Sequence, residues 1–89
     1  MKAIVTVVGK DRVGIIAGVC TALAEYNVNV LDINQTVMQN YFTMMMATDV
    51  SACNIPLAEL STAMEEVGRE MGLSIRIQRE DIFNAMHRI

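Results

Sequence analysis

The chain has 89 residues, of which 53% are hydrophobic, and its seven Lys and Arg against ten Asp and Glu give a formal net charge of -3. This length predicts one domain, residues 1–89, because two domains would each be too small to bury a core. The hydrophobic content excludes a disordered chain. The acidic balance leaves no basic stripe to neutralise phosphates, so no nucleic-acid partner is expected.

The apolar segments and the cysteines predict a cytoplasmic protein without a membrane partner. The first apolar run is stopped by charges at positions 10–12, where a signal peptide would still be apolar. No apolar stretch reaches the ~18 residues of a membrane span. Cys20 and Cys53 have no C-x-x-C spacing and no nearby His, so we expect free thiols and neither a metal nor a cofactor.

The first half of the chain predicts a strand, a helix and a hairpin. Residues 2–9 form a β-branched strand closed by a glycine. From position 13 to Asn27 apolar residues recur at helical spacing. The predicted buried face comprises Val13, Ile16, Ala17, Cys20, Leu23 and Ala24. Residues 28–39 alternate as a second strand, and a turn at 39–41 leads to a third strand over 42–50. In the second strand Leu31, Ile33 and Val37 lie on one side, and Asp32, Asn34 and Thr36 on the other.

The second half predicts a helix, a strand and a helical tail. Pro56 suits the first turn of a helix, because an N–H there has no helical partner. Gly72 suits its end, because glycine accepts the left-handed conformation. The predicted buried stripe is Leu57, Leu60, Met64, Val67 and Met71. Residues 73–79 alternate as a fourth strand, and residues 80–89 are expected to form a short helix.

This order predicts an α+β, ferredoxin-like βαββαβ fold. The first and third strands are apolar on both faces, whereas the second and fourth have a polar side, so we expect an antiparallel sheet of order 4-1-3-2. Two helices would cover one face of this sheet. The other apolar face would need the short C-terminal helix, a second subunit or both as cover.

Catalysis is poorly supported, and the chain is expected not to be an enzyme. Its one histidine, His87, lies near the end of the chain, and no Ser, Thr or Cys has a plausible base partner. Residues 9–14 match half of a phosphate-binding loop, but isoleucines stand where that loop needs Lys and Ser or Thr. The three methionines at 44–46 alternate in direction along a strand, so their sulfurs cannot converge on a metal.

The loop after the first strand has the chemistry of an amino-acid site. The helix start leaves N–H groups around positions 14–16 unpartnered and partially positive, which favours a carboxylate. Asp11 could accept from an ammonium group or could cap the helix; the sequence leaves both roles open. The polar side of the second strand adds short hydrogen-bonding groups at Asn29, Asp32 and Asn34.

The segment VVGKDRVGII at 7–16, followed by NVNVLDI at 27–33, resembles the ACT domain, a small regulatory module that binds amino acids. The resemblance covers essentially the whole chain, and the length and tail are similar to the free-standing UPF0237 group. That group is related to the repressor of the glycine cleavage system.

The resemblance implies a homodimer whose ligand lies between the loop of one chain and the second strand of the other. The matching positions are Lys10, Asp11, Arg12, Val13, Gly14 and Ile15 in the loop, and Asn29, Val30, Leu31 and Asp32 in the strand. Many members have Pro where Val13 stands, and many amino-acid binders have Asn at position 11. An anionic Asp11 would repel a ligand carboxylate placed beside it.

We therefore expect a module that binds a small amino acid, such as glycine or serine, and relays that state to a regulated protein of unknown identity. The alternative is a protein-interaction and dimerisation module with a vestigial ligand site.

Overall fold

Seven elements follow the predicted βαββαβ order, with a third helix at the end. The computed structural model describes residues 1–10 and 13–86, without the side chains at 83, 85 and 86. The elements are β1 (Lys2–Lys10), α1 (Ile15–Glu25), β2 (Asn29–Met38), β3 (Tyr41–Asp49), α2 (Leu57–Met71), β4 (Ser74–Arg79) and α3 (Glu80–Met86). The sheet is antiparallel in the order β2-β3-β1-β4, which confirms the predicted order and fold class.

The core lies between the sheet and the first two helices. Alternate residues of the strands are buried on this side of the sheet: Ala3, Val5, Val7, Phe42, Met44, Met46, Ile75 and Ile77. Leu23 of α1 and Leu60 and Met64 of α2 are fully buried members of the same core. Burial of each large apolar side chain contributes about 1.5–3 kcal/mol, so this layer fixes the helices on the sheet.

Helix α2 follows its sequence prediction. Leu60 and Met64 of the expected stripe are fully buried, and the other three members are half-buried. Pro56 immediately precedes the first helical residue. Gly72 ends the helix at φ 71°, in the left-handed region that a side chain disfavours.

Helix α1 corrects two expectations. It begins at Ile15, two residues later than the spacing suggested, because Gly14 adopts φ 91° and interrupts the helix. Of the predicted buried face only Leu23 is buried; the buried residues are Ile15, Val19, Ala22 and Leu23. Val13, placed in that face by its spacing, lies outside the helix and is fully exposed. The segment is apolar nearly all round, so packing on the sheet, and not periodicity, selects the buried face.

The described helices leave two apolar areas exposed. One is the outer sheet face, the side opposite α1 and α2, where Val8 and Met45 are exposed. The other is the edge strand β2, which is exposed along nearly its whole length. Helix α3 contacts β1 and β4, and the end of the predicted tail, 87–89, lies outside the described residues. No helix in the described ranges has the length and hydrophobicity needed to span a membrane.

Candidate functional site

The start of α1 presents backbone N–H groups for which the described residues offer no side-chain cap. The first intrahelical hydrogen bond runs from the Gly18 N–H to the Gly14 carbonyl oxygen at 2.9 Å. The N–H groups of residues 15–17 therefore precede the hydrogen-bonded part of the helix. No described side chain caps this end, and its first turn contains no acidic residue. The helix dipole adds partial positive charge there, so the site favours an anion.

This helix start opens onto a cleft against the β2–β3 hairpin. The cleft has a volume of about 360 Å³. It is lined by Gly14, Ile15, Ile16 and Ala17 from the helix start and by Gln35, Val37 and Phe42 from the hairpin. Small-molecule sites begin at about 300 Å³, so the cleft is large enough for a small amino acid. Gln35 supplies the one polar side chain among the described lining residues.

The predicted strand residues lie at the other end of the sheet. Lys10 of β1 is paired with Tyr41, which in turn is paired with Met38 at the end of β2. Asp32 pairs instead with Ala47, near the end of β3. At about 3.3 Å per residue, roughly 20 Å of β2 separate Asp32 from Met38. One chain alone does not bring the loop and residues 29–32 together, so a site shared between them requires a second copy.

Asp32 and Asn34 of β2 lie on the outer sheet face, since their partners Ala47 and Met45 alternate with the buried residues of β3. Asp32 and Asn34 line a shallow depression of about 220 Å³ beside Met45. The Ile33 N–H donates to the Asp32 Oδ1 at 2.9 Å, which leaves the second carboxylate oxygen available. A register shift between Val30 and Asp32 places a β-bulge at Leu31.

The remaining loop positions differ in what they can offer a ligand. Lys10, Val13 and Gly14 are exposed. The Ile15 side chain is buried in the core, so only its backbone is available to the cleft. Positions 11 and 12, and with them the two possible roles of Asp11, lie outside the described residues. Within the described ranges no group of three His, Cys, Asp or Glu side chains forms a possible metal site.

Gln35 and Val37 line the cleft, but the sequence pattern did not predict them as site residues. The signal that locates them is the hairpin turn. It places Met38 opposite Tyr41, and antiparallel pairing makes β3 begin where β1 ends. The last residues of β2 must therefore lie beside the loop that follows β1.

The chain matches the family model for the ACT domain over residues 2–78. It therefore belongs to the ACT domain family, a class of regulatory ligand-binding modules. The sequence resemblance is confirmed.

The relatives place the chain more narrowly, in the UPF0237 group. It is 55% identical to a UPF0237 protein of Clostridium acetobutylicum over 89 residues, which is 100% of both chains. An ACT domain protein from Streptococcus pneumoniae is 45% identical, with a TM-score of 0.83 and 98% of each chain covered. The ligand-free regulatory subunit of aspartate kinase from Thermus thermophilus is 28% identical, with a TM-score of 0.68; the match covers 86% of this chain and 50% of that one.

Proposed function

We propose that this protein is a cytoplasmic, non-catalytic regulatory module that binds a small amino acid as a homodimer and relays the bound state to another protein. The observation that carries the proposal is the start of α1, which no described side chain caps, at an open cleft in a chain of the ACT family. Relay requires only that the ligand bind one arrangement of the dimer better than another.

Recognition of the ligand carboxylate falls to the helix start. The N–H groups of residues 15–17 precede the first intrahelical bond, so a carboxylate there replaces water as their acceptor. The ligand ammonium group needs an acceptor with negative charge, and the candidates are Asp11 in the loop and Asp32 from a second copy. The cleft volume, about 360 Å³, is near the lower limit for small-molecule sites and favours a small ligand such as glycine or serine.

A second copy would both complete the ligand site and cover the exposed edge strand β2. It brings residues 29–32 to the loop, which one chain does not do. It also covers β2, where Leu31 is 48%, Val37 52% and Met38 70% exposed. An edge strand with exposed apolar residues and free backbone groups is a template for pairing with another chain.

A second candidate function is a dimerisation and interaction module without a ligand. The scarcity of polar side chains in the described cleft lining favours it, since Gln35 is alone among apolar neighbours.

A thermal-shift panel of the twenty amino acids separates the two functions. A ligand at about 100 times its Kd stabilises the folded state by roughly 2.7 kcal/mol. For a domain of this size the melting temperature then rises on the order of 10–20 °C. A rise with glycine, serine or another small amino acid supports the sensor, whereas no rise with any of them favours the interaction module.

Asp11→Ala tests the role of the loop carboxylate. If Asp11 binds the ammonium group, the variant loses the ligand-induced shift and keeps the stability of the ligand-free protein. A loss of about 1 kcal/mol from the ligand-free protein would instead identify Asp11 as the helix cap.

A further inference from the structure

The outer edge of β4 forms a groove with α2. In the described sheet β4 pairs with β1 alone, so its other edge has no neighbouring strand. Ser61, Glu65 and Arg69, spaced along one side of α2, line the groove with residues 73–78. Its volume is about 570 Å³. The groove lies at the opposite edge of the sheet from β2 and the cleft.

The side chains of β4 alternate between the two faces of the sheet, so a strand added at this edge would meet different side chains on each face. Ile75 and Ile77 are buried on the side covered by α2, whereas Ser74 and Arg76 are exposed on the outer sheet face. Arg76 lies in the middle of the strand, opposite Thr6 of β1. It forms no ion pair with any residue that the structure describes. The centre of this edge therefore carries a positive side chain without an ion-pair partner among the described residues.

We propose that the β4 edge binds an extended segment of a partner protein as a fifth strand, with an acidic residue opposite Arg76. Main-chain hydrogen bonds to the edge supply affinity, and alternate side chains supply specificity. Directly opposed residues on neighbouring strands have Cβ atoms about 4.5–5.5 Å apart, which brings a carboxylate within reach of the Arg76 guanidinium. The two flanking residues of the segment face the α2 side, beside the buried Ile75 and Ile77, where Ser61, Glu65 and Arg69 also line the groove.

The charges argue against a second copy of this chain as the occupant. A second β4 is disfavoured because the strand carries Arg76 and Arg79 and no acidic residue. In β2 the sequence Leu31-Asp32-Ile33 has the apolar–acidic–apolar pattern, but the proposed homodimer already covers that strand. A segment of a different protein avoids both obstacles.

Binding at this edge does not depend on the amino-acid site, although its use as the relay surface rests on the proposed function. A thermal-shift panel without any shift would contradict the proposed amino-acid site. A peptide titration without binding would contradict the proposed β4 site. The two failures are therefore distinguishable.

The test uses a fluorescent acetylated peptide, Thr-Val-Glu-Val-Thr, and the full chain. We expect saturable binding by anisotropy, with NMR shifts of the amides at 74–79 and slower hydrogen exchange there. Arg76→Glu should weaken binding about five- to tenfold, because an opposite-charge pair becomes a like-charge pair. A peptide with Lys in place of Glu should recover binding to that variant. Lys2→Glu makes the same charge change outside the groove and should leave the peptide affinity unchanged.

A peptide with N-methyl groups on alternate amides tests the strand geometry, because it keeps every side chain and removes main-chain donors. Only one set of alternate amides faces β4, so undiminished binding of both peptides, one methylated in each alternation, would overturn the proposal. So would the absence of binding, amide shifts away from 74–79, or equal weakening by Lys2→Glu. Concentration-dependent shifts of the β4 amides without peptide would assign the edge to a second copy and overturn it as well.

Discussion

The Thr48 hydroxyl donates a 2.8 Å hydrogen bond to the carbonyl oxygen of Ala3, directly opposite it on β1. Both residues are fully buried, and Thr48 is the one buried polar residue in the described part of the chain. The bond places a satisfied polar pair inside the core, at the sheet end remote from the cleft.

Thr48→Val should lower the free energy of unfolding by about 1 kcal/mol. The methyl group keeps the volume but loses a hydrogen bond with a net value of about 0.5–1.5 kcal/mol. Urea unfolding measures the loss. Thr43→Val, on the same strand but exposed, is the matched control and should change stability by less than about 0.5 kcal/mol. Equal effects of the two substitutions would contradict this role of the Thr48 hydroxyl.

The two glycines of the helix interiors should respond differently to alanine. A Cβ at Gly68 would lie 2.8 Å from the Leu73 carbonyl oxygen, which is backbone and cannot move away alone. A Cβ at Gly18 would lie 2.7 Å from the Met71 Cε, the end of a flexible side chain. We expect Gly68→Ala to destabilise by about 1–3 kcal/mol. Gly18→Ala should be neutral or stabilising by up to about 1 kcal/mol, because alanine favours the helix. Thermal unfolding of both variants measures the contrast, and a larger loss at Gly18 would refute it.

Asp49 makes the free energy of unfolding depend on pH at the acid end of the range. Hydrogen bonds from Ser51, through its side chain and its backbone N–H, hold the pKa of Asp49 below its ordinary value of 3.8. The Met1 ammonium group lies 3.7 Å from the same carboxylate. Because the folded state has the lower pKa, this stabilisation is complete above the ordinary value and is lost as the pH falls through the folded one.

Asp49→Asn should therefore flatten the acid limb of the stability profile measured by urea unfolding from about pH 5 to about pH 2. Ser51→Ala, which removes one donor, should flatten it in part. An unchanged slope in Asp49→Asn would show that this carboxylate contributes no pH dependence.

A carboxylate engineered at the helix start should compete with the ligand. Ala17 is exposed in the first turn of α1 and lines the cleft. Ala17→Glu should stabilise the ligand-free protein by about 0.3–1 kcal/mol through the helix dipole. The same change should reduce the thermal shift by the amino acid, because the new carboxylate and the ligand share the N–H groups. Ala17→Gln has the size of the glutamate variant without its charge, so it should retain most of the thermal shift caused by the amino acid. An equal loss of this shift in both variants would indicate steric exclusion of the ligand instead.

Light scattering should give twice the chain mass of 9.8 kDa. We expect Ile33→Lys to yield monomers, because Ile33 is 40% exposed in the middle of β2, where a charge blocks strand pairing. Met38→Lys repeats the test at a more exposed site. Val8→Lys on the outer face of the central strand β1 should remain dimeric. A monomer from Val8→Lys alone would show that the subunits pack face to face instead.

Local sequence signals were sufficient for most of the fold. A strand that is apolar on both faces belongs in the centre of a sheet, and this placed β1 and β3 correctly. The constraints at Pro56 and Gly72 are likewise properties of single residues, so the limits of α2 were readable from the chain. The ACT resemblance was readable too, because its loop motif and its fold order occur together.

The buried face of α1, by contrast, was decided by packing. Because this helix is apolar nearly all round, burying any of several faces would contribute about the same free energy. The cleft depended on register: pairing of Met38 with Tyr41 brought Gln35 and Val37, and not Asp32, to the start of α1. Alternation along a strand gives the side on which a residue lies, whereas distance to a loop follows from the tertiary arrangement of the strands. The sequence thus determined the elements and their order, and only the folded structure decided where α1 begins and which side chains meet there.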